Sequence, residues 1–127
     1  MAVTCDLKRM FHQFLVPPDE RNFLRFLWWE GGDLEKQPQD CRMAVHLFGA
    51  TSSPGCANFG LKYLAQQHKA KHPSASVFVE KNFYVDDGLT SVRSVNEAKE
   101  LIVDAQALCK RGGLRLHKFN SNGEDVL

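Results

Sequence analysis

From residue 2 the chain alternates in polarity. In AVTCDL, Val3, Cys5 and Leu7 fall on one side and Ala2, Thr4 and Asp6 on the other, which predicts a strand with one apolar face. The two prolines of MFHQFLVPPDE break that pattern and force an extended or turning connection. RNFLRFLWWE is rich in β-formers; with the exposed turn EGGDLEKQPQD and the extended run CRMAVHLF it predicts a hairpin. GATSSPG then offers Ser52 or Ser53 as a helix cap and Pro54 for the first turn. The helix that follows carries Cys56, Phe59, Gly60, Tyr63, Leu64 and Gln67 at helical spacing and stops by KHP.

Period two returns in SVFVEKNFYV. Val77, Val79, Phe83 and Val85 take one face, while Phe78, Glu80, Asn82, Tyr84 and Asp86 take the other; a second strand follows at LTSV. Ser94 to Glu97 is a capping box, and Ala98, Leu101, Ile102, Ala105, Leu108 and Cys109 hold one helical face behind it. Gly112 and Gly113 end that helix, and LRLHKF predicts a last strand. The order is β, β-hairpin, α, β-hairpin, α, β. It predicts an α+β fold, an antiparallel sheet with two helices packed on one face, as a single domain over residues 1–127.

Composition supports a globular chain: 127 residues, 43% hydrophobic, with no biased tract. No apolar run reaches membrane-span length and no signal-peptide pattern opens the sequence, so a soluble, non-secreted protein without a membrane partner is expected. The formal charge of +1 argues against a broad basic surface on this segment. Cys5, Cys41, Cys56 and Cys109 form no CxxC pair and read as buried, reduced thiols. His68 and His72 stand four apart, as zinc ligands can, but lack a third ligand and read as a solvated helix face.

The chemistry centres on NFYVDDGLTS. If the apolar side of each strand meets the helices, Asp6 and Asp86 both point to the open face of the sheet and can converge across 80 positions. Two carboxylates about 4 Å apart repel by roughly 4 kcal/mol at an effective dielectric near 20, so such a cluster calls for a cation. Hard divalent ions take oxygen ligands, and a pair of them can stabilise both oxygens of a phosphoryl transfer. Asp-Asp-Gly between two strands is also ordinary turn chemistry, with Asp87-Gly88 at the corner. Both readings stand on the residues alone.

With CDLKRMF, FGATSSP, NFYVDD and GGLRLHKF in this order, the whole chain resembles the palm of a reverse transcriptase. MFHQ, LRFLWW and FGATSSP resemble the BEL/Pao class of long-terminal-repeat retrotransposons in particular. The resemblance implies an RNA-directed DNA polymerase fold, with Asp6, Asp86 and Asp87 as the acids holding two Mg²⁺ ions, or Mn²⁺ in their place. It implies Lys118 as the proton donor to pyrophosphate, and Leu7, Phe11, Phe48 and Gly49 around the nucleotide, with Phe11 as the steric gate. Ser53, Pro54, Tyr84 and Val85 would lie along template and primer, and the hairpin corner would sit nearer Val85-Asp86. On the residues alone Phe11 reads equally as a core aromatic, Lys118 as an exposed strand lysine, and Tyr84 as a packed sheet residue. Phe48 departs from the glutamine usual in retroviral enzymes.

The implied partners are an RNA or DNA template-primer, a deoxynucleoside triphosphate, and the remaining polyprotein domains: fingers, thumb, ribonuclease H and integrase. The implied setting is a cytoplasmic retroelement particle. Only five residues precede Asp6 and no primer-grip block follows, so a palm-centred fragment with little processive activity is expected. A folded but inactive structural or nucleic-acid-binding remnant is the alternative. A metal-dependent phosphohydrolase is a third class, disfavoured because no histidine or further acid has ligand spacing.

Overall fold

The computed structural model describes residues 1–126. In chain order its elements are β1 (Ala2–Leu7), β2 (Arg25–Trp29), β3 (Pro38–Arg42), α1 (Ser53–Gln67), α2 (Pro73–Lys81), β4 (Phe83–Tyr84), β5 (Asp87–Ser91), α3 (Val95–Arg111) and β6 (Leu116–Ser121). Alternation in β1 sets the layers. Val3, Cys5 and Leu7 are buried, whereas Ala2, Thr4 and Asp6 lie half-buried on the opposite side. The main sheet runs β4-β5-β1-β6 and is antiparallel throughout.

Three helices cover the side carrying Cys5 and Leu7. Ala57, Leu61 and Ala65 of α1, Ala75, Phe78 and Val79 of α2, and Ala105, Leu108 and Cys109 of α3 form one cluster with Cys5, Leu7 and Leu116. Burying one Leu or Val side chain in such a layer contributes about 1.5–3 kcal/mol, so this face commits the sheet to one orientation. The α+β class and the antiparallel sheet are as expected, with three helices in place of two.

The third helix overturns a strand. Residues 73–81 alternate Val-Phe-Val as a strand would, yet Pro73 begins a helix that buries Ala75, Ser76, Phe78 and Val79 at helical spacing. Fully buried Ser76 donates from Oγ to the Ala65 carbonyl at 2.6 Å, tying α2 to α1. The face of α1 is corrected too. Phe59 and Tyr63 stack on each other in solvent, and Leu61 turns inward instead, flanked by the small side chains of Ala57 and Ala65. Small residues let neighbouring backbones approach closely, so apolar bulk is a poor guide to that interface.

The hairpin β2–β3 forms, pairing Arg25 with Arg42 through Trp29 with Pro38, so its second strand begins three residues before CRMAVHLF. It joins the main body through a bridge between Leu15 and Val45. The capping box holds at the start of α3. Ser94 Oγ accepts from the Glu97 backbone N–H at 3.2 Å, and Glu97 Oε2 accepts from the N–H of Arg93, one residue before the cap, at 2.8 Å. Ser52, by contrast, makes no side-chain cap on α1.

Candidate active site

Asp6 sits near the end of β1 with a different acid opposite it from the one alternation suggested. The register pairs Cys5 with Gly88 and Asp6 with Asp87, so directly opposed Asp6 and Asp87 share the open face. Asp86 lies instead in the turn. Tyr84 pairs with Asp87, which leaves Val85 and Asp86 as the two corner residues. The corner therefore lies where the resemblance implies and not at Asp87-Gly88. Because residues 73–81 are helical, no strand alternation reaches Asp86; the turn alone positions it.

The turn is anchored and strained. Leu7 donates its N–H to the Asp86 carbonyl at 2.8 Å, tying the corner to β1. Val85 has φ of 56°, a left-handed conformation costly for a β-branched residue, and its side chain packs against the main core cluster. Gly88 permits the close approach behind the acids. A Cβ there would lie 2.7 Å from Phe83 Cζ and 2.8 Å from Cys5 Sγ.

β6 supplies a residue that sequence reasoning missed. Asp6 pairs with His117, but Thr4 pairs with Asn120, so β6 carries one extra residue between these rungs. That β-bulge coincides with Lys118 at φ 50°. Its effect is to bring two consecutive side chains to one acid. His117 Nε2 lies 2.7 Å from Asp6 Oδ1, and Lys118 Nζ lies 3.3 Å from Asp6 Oδ2. A carboxylate only accepts, so Nε2 carries the hydrogen in this contact. Strand alternation in LRLHKF already places His117 on the polar side; what it could not give was the register.

The pocket residues gather in part. Phe48 packs edge-on against Phe11, ring centroids 4.8 Å apart, and against His12 at 5.8 Å. Phe11 is buried while Phe48 is exposed. Gly49 follows at φ 85°, a conformation that favours glycine. Ser53, fully buried at the start of α1, lies 3.3 Å through Oγ from His46 Nδ1, and Pro54 occupies the first turn. Tyr84 is 84% exposed and does not pack into the sheet. Leu7 is fully buried, so only its backbone faces the site.

Two further corrections concern histidine and cysteine. His72 is buried, not solvated: its Nδ1 lies 2.5 Å from Asp104 Oδ1, joining the start of α2 to α3. Cys41 is half-buried and Cys56 exposed, whereas Cys5 and Cys109 are buried free thiols. Burial pushes both buried thiols up to about 12, opposed at Cys5 by a backbone hydrogen bond with Gly88 and assisted by nearby Asp6 and Asp87.

Asp6 and Asp87 offer oxygen donors suited to a hard divalent ion, for which one or two carboxylates suffice when substrate phosphates complete the shell. Among the described residues no three His, Cys, Asp or Glu side chains form a ready-made metal cage. A groove of about 1020 Å³ between α2 and α3 is lined by none of the predicted site residues. Compared with models of protein families and with curated protein sequences, the chain matches none.

Proposed function

We propose that this chain is the palm of a reverse transcriptase of the BEL/Pao type, transferring nucleotides from deoxynucleoside triphosphates to a primer 3′-hydroxyl. The observation that carries this is Asp6 on β1 facing Asp87 on β5 beside a two-residue turn that holds Asp86. Asp6 and Asp87 lie on the sheet face opposite the one packed with helices. Asp6, Asp86 and Asp87 would hold two Mg²⁺ ions, or Mn²⁺. Such ions supply Lewis acidity at the primer hydroxyl and charge neutralisation at the triphosphate.

The remaining work belongs to the chain. Tyr84, exposed, offers the primer end an aromatic surface next to the acids, and Val85 adds its backbone at the turn, its side chain being packed on the core. Phe48 over Phe11 makes an aromatic wall against which a sugar packs, and Gly49 leaves the adjoining backbone bare for a base pair. Ser53 and Pro54 set the start of α1 beneath the template. Lys118 Nζ holds a proton beside Asp6 and can pass it to the departing pyrophosphate. Sequence would come from base pairing and not from the protein, whose contacts go to phosphate and sugar.

One observation favours a second reading, a module that binds template-primer without turnover. The hairpin β2–β3 is uncovered, with Phe26 41%, Leu27 65% and Trp28 55% exposed, although a lone two-stranded hairpin is marginal in water. Primer extension on an RNA template with Mg²⁺, beside binding of the same duplex, separates the readings. Extension that disappears in Asp86→Asn is the expected result. Binding without extension would select the second reading, and extension undiminished in Asp86→Asn would remove Asp86 from the chemistry.

A further inference from the structure

The contacts of Asp6 raise a question that the catalytic reading leaves open. Both of its oxygens are taken: Oδ1 by His117 Nε2 at 2.7 Å and Oδ2 by Lys118 Nζ at 3.3 Å. An antiparallel partner following strict alternation would present only one of two consecutive side chains to Asp6. The extra residue of β6, with Lys118 at φ 50°, brings both. A left-handed lysine is uncommon, and this one coincides with the point where β6 meets the acid. Asp87, opposite Asp6 on the other neighbouring strand, would otherwise leave two like charges face to face.

We propose that His117 and Lys118 form an internal hydrogen-bonding clamp on Asp6, set by the β6 bulge, which a divalent ion must displace, so that these two residues determine how tightly the site takes its ion. This rests on Asp6 being an ion ligand. Lys118 compensates charge that the ion would otherwise compensate, and His117 occupies the second oxygen. His117 and Asp6 are each about three-quarters buried, with side-chain exposures of 25% and 27%, so their contact is shielded from solvent. The Lys118 side chain is 67% exposed and swings away readily. Release is therefore stepwise: Lys118 frees Oδ2 first, and His117 keeps Oδ1 until the ion is seated. A lysine that leaves Asp6 as the ion arrives is also free to meet the pyrophosphate.

The test is direct binding of Mn²⁺, followed by electron paramagnetic resonance without substrate, in the wild-type chain, in His117→Gln with Lys118→Met, and in Asp6→Asn. The double variant should bind Mn²⁺ about tenfold more tightly than wild type, because the ion no longer has to break charge-assisted hydrogen bonds to both Asp6 oxygens. Asp6→Asn should lose binding. Unchanged or weaker binding in the double variant, with Asp6→Asn still abolishing it, would overturn the clamp while leaving the metal site standing. Binding that is absent from all three proteins, or indifferent to Asp6→Asn, would overturn the metal site and the clamp together. Should the double variant fail to fold, Mg²⁺ titration of the wild type decides. The ¹⁵N resonances of the His117 ring and Lys118 Nζ should shift to their unbonded positions as Mg²⁺ saturates, and unmoved resonances under saturation would refute displacement.

Discussion

Replacing Gly88 by alanine tests whether the acids are held by close packing behind the sheet. The added Cβ would stand 2.7 and 2.9 Å from Phe83 Cζ and Cε2, and 2.8 Å from Cys5 Sγ. Carbon atoms pack best at about 3.5–4.0 Å, so the methyl overlaps neighbours on both flanking strands by roughly 0.7–1 Å. Neither neighbour yields freely: Cys5 is buried, and the Phe83 ring is tilted against Phe78 with centroids 5.2 Å apart. Overpacking of this kind costs about 1–3 kcal/mol, offset by about 0.4–1 kcal/mol from the smaller entropy of the unfolded alanine chain. A net loss of about 1–2 kcal/mol is expected in urea unfolding.

Trimming Cys5 to alanine removes the sulfur. The Gly88→Ala, Cys5→Ala pair should then recover at least about 0.5 kcal/mol relative to additivity, as residues in contact do. Cys5–Gly88 and Asp6–Asp87 are consecutive rungs, so Gly88→Ala should also weaken Mn²⁺ binding while the protein remains folded. A stability change below about 0.5 kcal/mol, or strict additivity of the pair, would refute the packing account.

Two other outcomes follow from buried polar groups. Ser76→Ala removes the hydrogen bond to Ala65 and leaves that carbonyl's contact across α1 and α2 unmade, an expected loss of about 1–2 kcal/mol by thermal or urea unfolding. For Cys5 and Cys109, folded and unfolded thiols are both protonated below the ordinary value of 9.0; above it the unfolded chain releases protons that the folded one keeps to about 12. Stability should therefore fall as pH rises from 9, by up to about 1.4 kcal/mol per pH unit for each thiol, and Cys109→Ala should make the slope measurably shallower in urea melts between pH 8 and 10.5. A thiol reagent at pH 8 should label Cys56 at once and reach Cys5 and Cys109 only on unfolding.

How far the sequence foretold all this differs from element to element. The first strand, α3 with its capping box, and the α+β class were readable because each has a strong local signal: clean alternation, a Ser-x-x-Glu start, a helix-long apolar stripe. Residues 73–81 were not, since Val, Phe and Val at period two fit a strand as well as a helix, and tertiary burial of Ala75, Ser76 and Val79 decided. The α1 face was hidden for another reason: its core side carries Leu61 between two alanines, while the bulkier Phe59 and Tyr63 lie in solvent. At the site, the family-like motifs marked Asp6, Asp86 and Asp87, while the pairing of Asp6 with Asp87 and His117 depended on registers between strands 81 and 111 residues apart. No local pattern carries a register over that distance. The bulge at Lys118 lies further still from anything alternation can express.

The central place of β1 has a consequence for assembly. Its two sheet partners, β5 and β6, are made long after it, and the ladder to β6 closes only at residues 116–121. At about 5–20 residues per second, the interval between synthesis of Asp6 and of His117 is roughly 5–20 s. Throughout that time the β1 edges lack their native partners and its valine, cysteine and leucine lack their helices. Such high-separation pairing is slow to nucleate and exposes strand edges meanwhile. The site at Asp6 is therefore among the last features of the molecule to form, and productive folding depends on keeping a six-residue apolar strand from finding another mate first.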